Sequence, residues 1–200
     1  MRHGKTPTTG KVLPGRVGGL HLSDEGRAQA EAVAQRIAGL SGAPVAVYAS
    51  PLERTRETAA PIARALGLRV RSDAGLLEAD VGRWAGVSLK RLYKTPEWPA
   101  VQRWPSGFRF PGGESFTEMS ARANDAVVRL AAAHRGATIV VVSHADPIKA
   151  IVASACGTPL DLLQRIVVSP CSVSAVAYGA GTPLVLCVNS TADLTELEPS

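Results

Sequence analysis

The chain has 200 residues, 46% of them hydrophobic, 20% charged and 4% aromatic, with a formal net charge of +5. This composition excludes a low-hydrophobicity disordered chain and allows one domain with a sizeable core. The basic residues form no Lys/Arg run and no basic–aromatic interleaving, which argues against nucleic acid as the partner and suits a modest field that attracts small phosphorylated molecules.

Met1-Arg2-His3-Gly4 opens the chain. A neutral imidazole can attack phosphorus, a neighbouring guanidinium opposes its protonation and holds phosphate oxygens, and glycine lets backbone come close. A solvated start is the alternative for so short a triplet. Residues 5–22 are rich in Thr, Gly and Pro and read as a loop in which Arg16 and His21 are solvated, with a place facing a ligand as the alternative for either. Ser23 then caps a helix with Ala30, Val33, Ala34, Ile37 and Ala38 inward, ended by Gly39 and Gly42.

Val45–Ala49 is a short apolar run, the mark of a buried strand. Ser50-Pro51-Leu52-Glu53 reads as a capping box, which places Arg54 and Arg56 in the first turns of a helix running to about Leu66. Ligands collect at the carboxyl ends of strands in open α/β sheets, so Arg54 is a candidate anion ligand, with an exposed helical Arg as the alternative. Leu68–Val70 is a short strand candidate. Residues 82–113 hold Trp84, Trp98 and Trp104 among several prolines and read as an inserted cap or substrate loop.

Ser115-Phe116-Thr117-Glu118 is a second capping box, opening a helix with Met119, Ala123, Ala126, Val127 and Leu130 inward. Thr138–Val142 is a strand that runs into Ser143-His144-Ala145-Asp146-Pro147, with Asp146 read as a cap and Pro147 at the first helical position. His144 thereby lies between a strand end and a helix N-terminus, where anions are attracted. Thr158–Asp161 starts a short helix, and Ser172–Tyr178 with Leu184–Val188 reads as a hairpin. Cys156, Cys171 and Cys187 form no C-x-x-C pair and the 4 histidines are dispersed, so each cysteine reads as an apolar core residue. A polar start and the lack of a membrane-length apolar run lead us to expect a soluble, cytoplasmic protein with no membrane contact. No repeat or linker divides the sequence, so a single domain over 1–200 is expected.

Together these stretches resemble the histidine phosphatase superfamily, the fold group of phosphoglycerate mutases. Arg2-His3-Gly4 looks like its signature, and Leu52-Glu53-Arg54 with Glu57-Thr58-Ala59 like its second arginine helix. Leu77-Glu78 before Gly82 and Gly86 looks like its acid-bearing loop, Pro111-Gly112-Gly113-Glu114-Ser115 like its turn into a helix, and Ser143-His144-Ala145-Asp146 like its second histidine. Gln164–Pro170 looks most like an actinobacterial phosphomutase-or-phosphatase branch.

The resemblance implies an α/β fold, a three-layer αβα sandwich with a mostly parallel sheet. It implies His3 as the residue that becomes phosphohistidine, Arg2, Arg54 and His144 as phosphoryl ligands supplying positive charge, and Glu78 as general acid and then base. Gly4 and Asp146 support them, with Lys149 beside Asp146, and no cofactor or metal is needed. The expected activity is hydrolysis of a small phosphorylated metabolite; a homodimer is compatible with it. A cofactor-dependent phosphomutase, or an impaired phosphate-binding protein, stays open as an alternative. Two departures stand out. Relatives carry an apolar strand before Arg-His-Gly where here only Met1 precedes it, so the first strand is expected to be missing or truncated. Thr8-Thr9-Gly10 replaces an Asn frequent in the family.

Overall fold

Alternation along two short strands decides how the layers assemble. The computed structural model describes residues 1–40 and 42–191. Strand β2 (Ala46–Ala49) lies between β3 (Val70–Ser72) and β5 (Ile139–Val142), all parallel, in the order β3-β2-β5. Successive side chains of a strand point to opposite faces. Val47, Ala49, Val140 and Val142 accordingly pack on one face against α1 (Asp24–Ala38) and α2 (Glu53–Ala65). Tyr48, Ile139 and Val141 pack on the other against α5 (Phe116–Ala133), and Ile151 of α6 (Ala145–Ala155) joins that layer. The result is the expected αβα sandwich.

Ser23 caps α1 through Gly26 N–H, and Ser115 with Glu118 forms the reciprocal capping box of α5. Ser50 does not cap α2: that helix starts at Glu53 with Leu52 as its cap residue and no side-chain capping bond. Ser50 lies outside it because its hydroxyl is engaged elsewhere, as described below. Asp146 likewise lies inside the first turn of α6, whose cap residue is His144. The strand expected over 68–70 is displaced to Val70–Ser72, because Gly67 (φ 66°) ends the preceding turn and the next residues climb back to the sheet.

Residues 82–113 form a folded layer around their own aromatic core. β1 (Val12–Leu13) pairs antiparallel with β4 (Val87–Ser88), tying this region to the stretch expected to be all loop. Then follow α3 (Leu89–Leu92) and α4 (Trp98–Arg103). Trp84, Phe108 and Phe110 are buried with Phe116 and Met119 of α5 and with Leu163. The expected C-terminal hairpin is β6 (Val173–Ala177) against β7 (Leu184–Ser190). Of the cysteines, Cys171 is buried as expected, but Cys156 is exposed and Cys187 half-buried.

Where the first strand is expected to be missing or truncated, a single parallel bridge joins Arg2 to Ser143. Met1–His3 is nonetheless held on both sides. On one, Met1 N donates to Val141 O (2.7 Å), Ser143 N to Met1 O (2.9 Å) and His3 N to Ser143 O (3.0 Å). On the other, Arg2 N donates to Ser172 O (3.2 Å) and Cys171 N to Arg2 O (3.2 Å). Before this bridge the layers part: a cavity of about 520 Å³ lies between β5 and β6, lined by Met1, Ile139, Val141, Ile151, Val173 and Ala175 among others. Burial pushes the Met1 amino group at its end down to about 6.

Candidate active site

His3, Arg54 and His144 come from three separate elements that end on one side of the sheet. His3 is fixed by the bridge just described. Its neighbour Gly4 passes against the first turn of α1, where a Cβ on Gly4 would stand 2.6 Å from Gly26 O, and one on Gly26 2.0 Å from Lys5 O. Only two glycines permit that backbone crossing. Gly4 N–H donates to Thr58 Oγ1 (3.0 Å), which itself donates to Arg54 O (2.7 Å), so the His3-Gly4 segment and α2 are joined at one hydroxyl.

His3 Nδ1 lies 2.7 Å from Gly4 O. A carbonyl cannot donate, so Nδ1 carries the hydrogen and Nε2 keeps the lone pair. Burial, followed by the charges of Arg54 and Arg2, pushes His3 down to about 3, so the imidazole is neutral at pH 7. The His144 ring lies edge-on to that of His3, centroids 5.2 Å apart. His144 Nε2 is 2.8 Å from Ser50 Oγ, which is where the Ser50 hydroxyl is used, while Nδ1 is buried with no protein partner. Burial, then His3, Arg54 and Arg2, hold His144 well below its ordinary value. These influences favour its neutral, hydrogen-bonding form, beside the permanent charges of Arg2 and Arg54.

Arg54 is fully buried. Its Nη2 donates to Gly15 O (2.8 Å), but Nε and Nη1 meet no protein acceptor. Arg2 Nη1 donates to Val168 O (2.7 Å), and its Nε is also buried and unpartnered. Buried donors left unpaired cost about 1–3 kcal/mol each, more when charged, and such groups mark a place for a ligand. Guanidinium N–H groups beside a neutral imidazole suit a tetrahedral oxyanion.

Glu78 is half-buried on the irregular stretch after β3. Burial, then the charge of Asp146, pushes its carboxyl up to about 7, against the pull of Arg54 and Arg2. It can hold a proton at neutral pH and give it up. The structure thus gathers His3, Arg2, Arg54, His144 and Glu78, with Gly4 and Asp146 beside them. Lys149 lies 3.4 Å from Asp146 Oδ1 and bonds Gln164. Arg16, expected to be solvated, instead donates to Glu78 O and Glu114 Oε1. His21 pairs with Glu57 at the surface. Thr58 and Ser50 escaped sequence reasoning as site residues. Thr58 is signalled by standing one helical turn after Arg54, whereas Ser50 was masked by its resemblance to a cap. Among the described residues no cluster of His, Cys, Asp or Glu could hold a metal ion, and no helix is long and apolar enough to cross a membrane.

Comparison with known proteins gives the family of the chain. The profile of the histidine phosphatase superfamily (branch 1) matches residues 1–191, and the chain belongs to that family. It is 34% identical over 195 residues to a bifunctional protein of Mycobacterium tuberculosis, covering 96% of this chain and 53% of that protein. It is 32% identical over 190 residues to phosphoserine phosphatase 1 of Hydrogenobacter thermophilus, covering 91% and 88% of the two chains. A solved phosphoserine phosphatase from Entamoeba histolytica, in complex with 3-phosphoglyceric acid, superposes with a TM-score of 0.83 at 26% identity, over 95% of this chain and 94% of that one. The chain spans about half the length of this bifunctional protein and of two further mycobacterial relatives that it matches equally well.

Proposed function

We propose that the protein hydrolyses phosphomonoesters of small metabolites through a phosphohistidine on His3. The observation that carries this reading is the meeting of one lone-pair nitrogen, His3 Nε2, with buried guanidinium hydrogens that have no protein acceptor. The substrate's phosphoryl oxygens fill that need. Phosphatases among the relatives support the same class of substrate.

In the first step His3 Nε2 forms a bond to phosphorus as the ester P–O bond breaks, and Glu78 gives its proton to the departing alkoxide. Arg2 and Arg54 neutralise charge spreading over the equatorial oxygens, and His144 donates a hydrogen bond there. In the second step water attacks phosphorus, Glu78 takes its proton, and the P–N bond breaks to release phosphate and neutral His3. Burial, and after it the charge of Asp146, favours the protonated Glu78 carboxyl that acts as the acid.

The impaired phosphate-binding alternative has one observation in its favour, the cavity beside Met1 between β5 and β6. Against it, the backbone on both sides of Met1–His3 already anchors the nucleophile. The test is rapid quench with a phosphate-labelled ester. Label on His3 that is stable in base and labile in acid, with steady release of phosphate, is the expected result. Phosphate binding with neither trapped label nor turnover would overturn the proposal in favour of a binding protein.

A further inference from the structure

We infer that Glu114 is a positioning residue for the general acid, acting on Glu78 through Arg16 and Arg122; this rests on the phosphatase reading above. Glu78 belongs to no helix or strand, so nothing periodic fixes its backbone. What fixes it is a set of captured carbonyls. Arg122 Nη1 donates to Gly75 O (2.8 Å) and Leu77 O (3.0 Å), and Arg16 Nε donates to Glu78 O (2.8 Å). Both guanidiniums are held in turn by one carboxylate. Glu114 Oε1 accepts from Arg16 Nη2 (2.9 Å), from Arg122 Nη2 (2.7 Å) and from the Asp80 backbone N–H (2.9 Å).

The clamp therefore closes on both sides of Glu78, at Leu77 and at Asp80. Glu114 itself is fixed because its N–H donates to Asp80 O (2.9 Å), an approach that requires glycine at 113, where a Cβ would lie 2.1 Å from that oxygen. Its side chain is 14% exposed, so the ion pairs are shielded from solvent. A surface salt bridge would contribute little, but a shielded carboxylate serving two arginines and an amide is a rigid joint.

The clamp also sets charge. Arg2, Arg54, Asp146, His3 and His144 face the site, while Arg16 and Arg122 stand behind the Glu78 backbone. Glu114 neutralises part of that rear charge. Without it, Arg122 loses its carboxylate partner and Arg16 keeps only the longer contact to Asp80 (3.8 Å), which favours the carboxylate form of Glu78 and shortens the pH range in which the acid is protonated.

The experiment compares Glu114→Gln and Arg16→Gln with the unmodified protein, on an alkyl ester (phosphoserine) and on p-nitrophenyl phosphate, whose leaving group needs no proton. Glu114→Gln is expected to lower alkyl-ester kcat/KM by about 100-fold while p-nitrophenyl phosphate falls by less than about 10-fold, since a general acid contributes about 10²–10⁴. The basic limb of the alkyl-ester pH profile moves to lower pH. In a Glu78→Gln background, Glu114→Gln has little further effect, because residues acting as one unit are not additive. Arg16→Gln shows the same difference between the two esters more weakly, with the basic limb moving to higher pH because a cation behind Glu78 is lost, and it carries the comparison by itself if Glu114→Gln does not fold. Equal losses on both esters, or full additivity with Glu78→Gln, overturn the inference alone. An unmodified protein that turns over neither ester overturns the phosphatase reading and this inference with it.

Discussion

Replacing Arg54 with Met separates the demands of binding from those of folding. Arg54 is fully buried, donates from Nη2 to Gly15 O, and leaves Nε and Nη1 unpaired. Burial is the largest influence on its guanidinium, with Glu78 and Glu53 offsetting it and Arg2 opposing them. Met fills a similar volume without a charge or a donor. Loss of the charged bond to Gly15 costs about 1.5–3 kcal/mol, whereas relief of the two unpaired donors returns about 1–3 kcal/mol each, and more for a charged group. The ligand-free variant is therefore expected to gain about 1–2 kcal/mol, or about 2–8 °C in Tm for a chain of this length.

Phosphate reverses the ranking. At ten times Kd it stabilises the unmodified protein by about 1.4 kcal/mol, or about 3–6 °C, and the variant by almost nothing. Turnover falls by about 10³ or more, the loss expected for a guanidinium on a transferring phosphoryl group. Thermal melts with and without phosphate, beside a steady-state assay, read all three quantities. A variant that melts several degrees lower and still gains from phosphate would refute the assignment, because the free N–H groups would then be structural.

Glu78→Gln is expected to lose about 10²–10⁴ on alkyl esters and to abolish the basic limb near pH 7, where the Glu78 carboxyl titrates, with p-nitrophenyl phosphate much less affected; pH–rate profiles on the two esters check it. Acid lability follows from His3. Its folded value of about 3 lies below the unfolded 6.5, so the unfolded chain alone binds the proton between them, and stability falls as pH drops through that window by about 1.4 kcal/mol per unit. Glu78 opposes this: its folded value is raised, so its contribution is present below about 4.5 and lost as pH rises through about 7. Urea midpoints from pH 4 to 8 should therefore show a flatter acid side in His3→Gln; equal acid loss in both proteins contradicts a buried neutral His3.

What the sequence discloses and what it hides divide along one physical line. Period and punctuation are local, so α1, α5, β5 and the terminal hairpin are legible from Ser23, Ser115–Glu118, the Ile139–Val142 run and the Gly/Pro-rich turn. Residues whose chemistry is unusual for their position, His3 and His144 above all, are legible as a site once their motifs are placed in order. Ser50 shows the limit. Its spacing to Glu53 satisfies the capping pattern, yet its hydroxyl bonds His144 Nε2, from a position 94 residues away. A local rule lost there to a long-range contact that no spacing encodes. Arg16 fails in the same way: a loop arginine is by default solvated, and only the fold brings Glu114 and the Glu78 carbonyl to it. His3 is set by a local motif, but the Glu78 backbone is held by Arg16, Glu114 and Arg122, drawn from distant parts of the chain. On the function proposed above, variation at those positions retunes proton transfer without touching any residue of the signature.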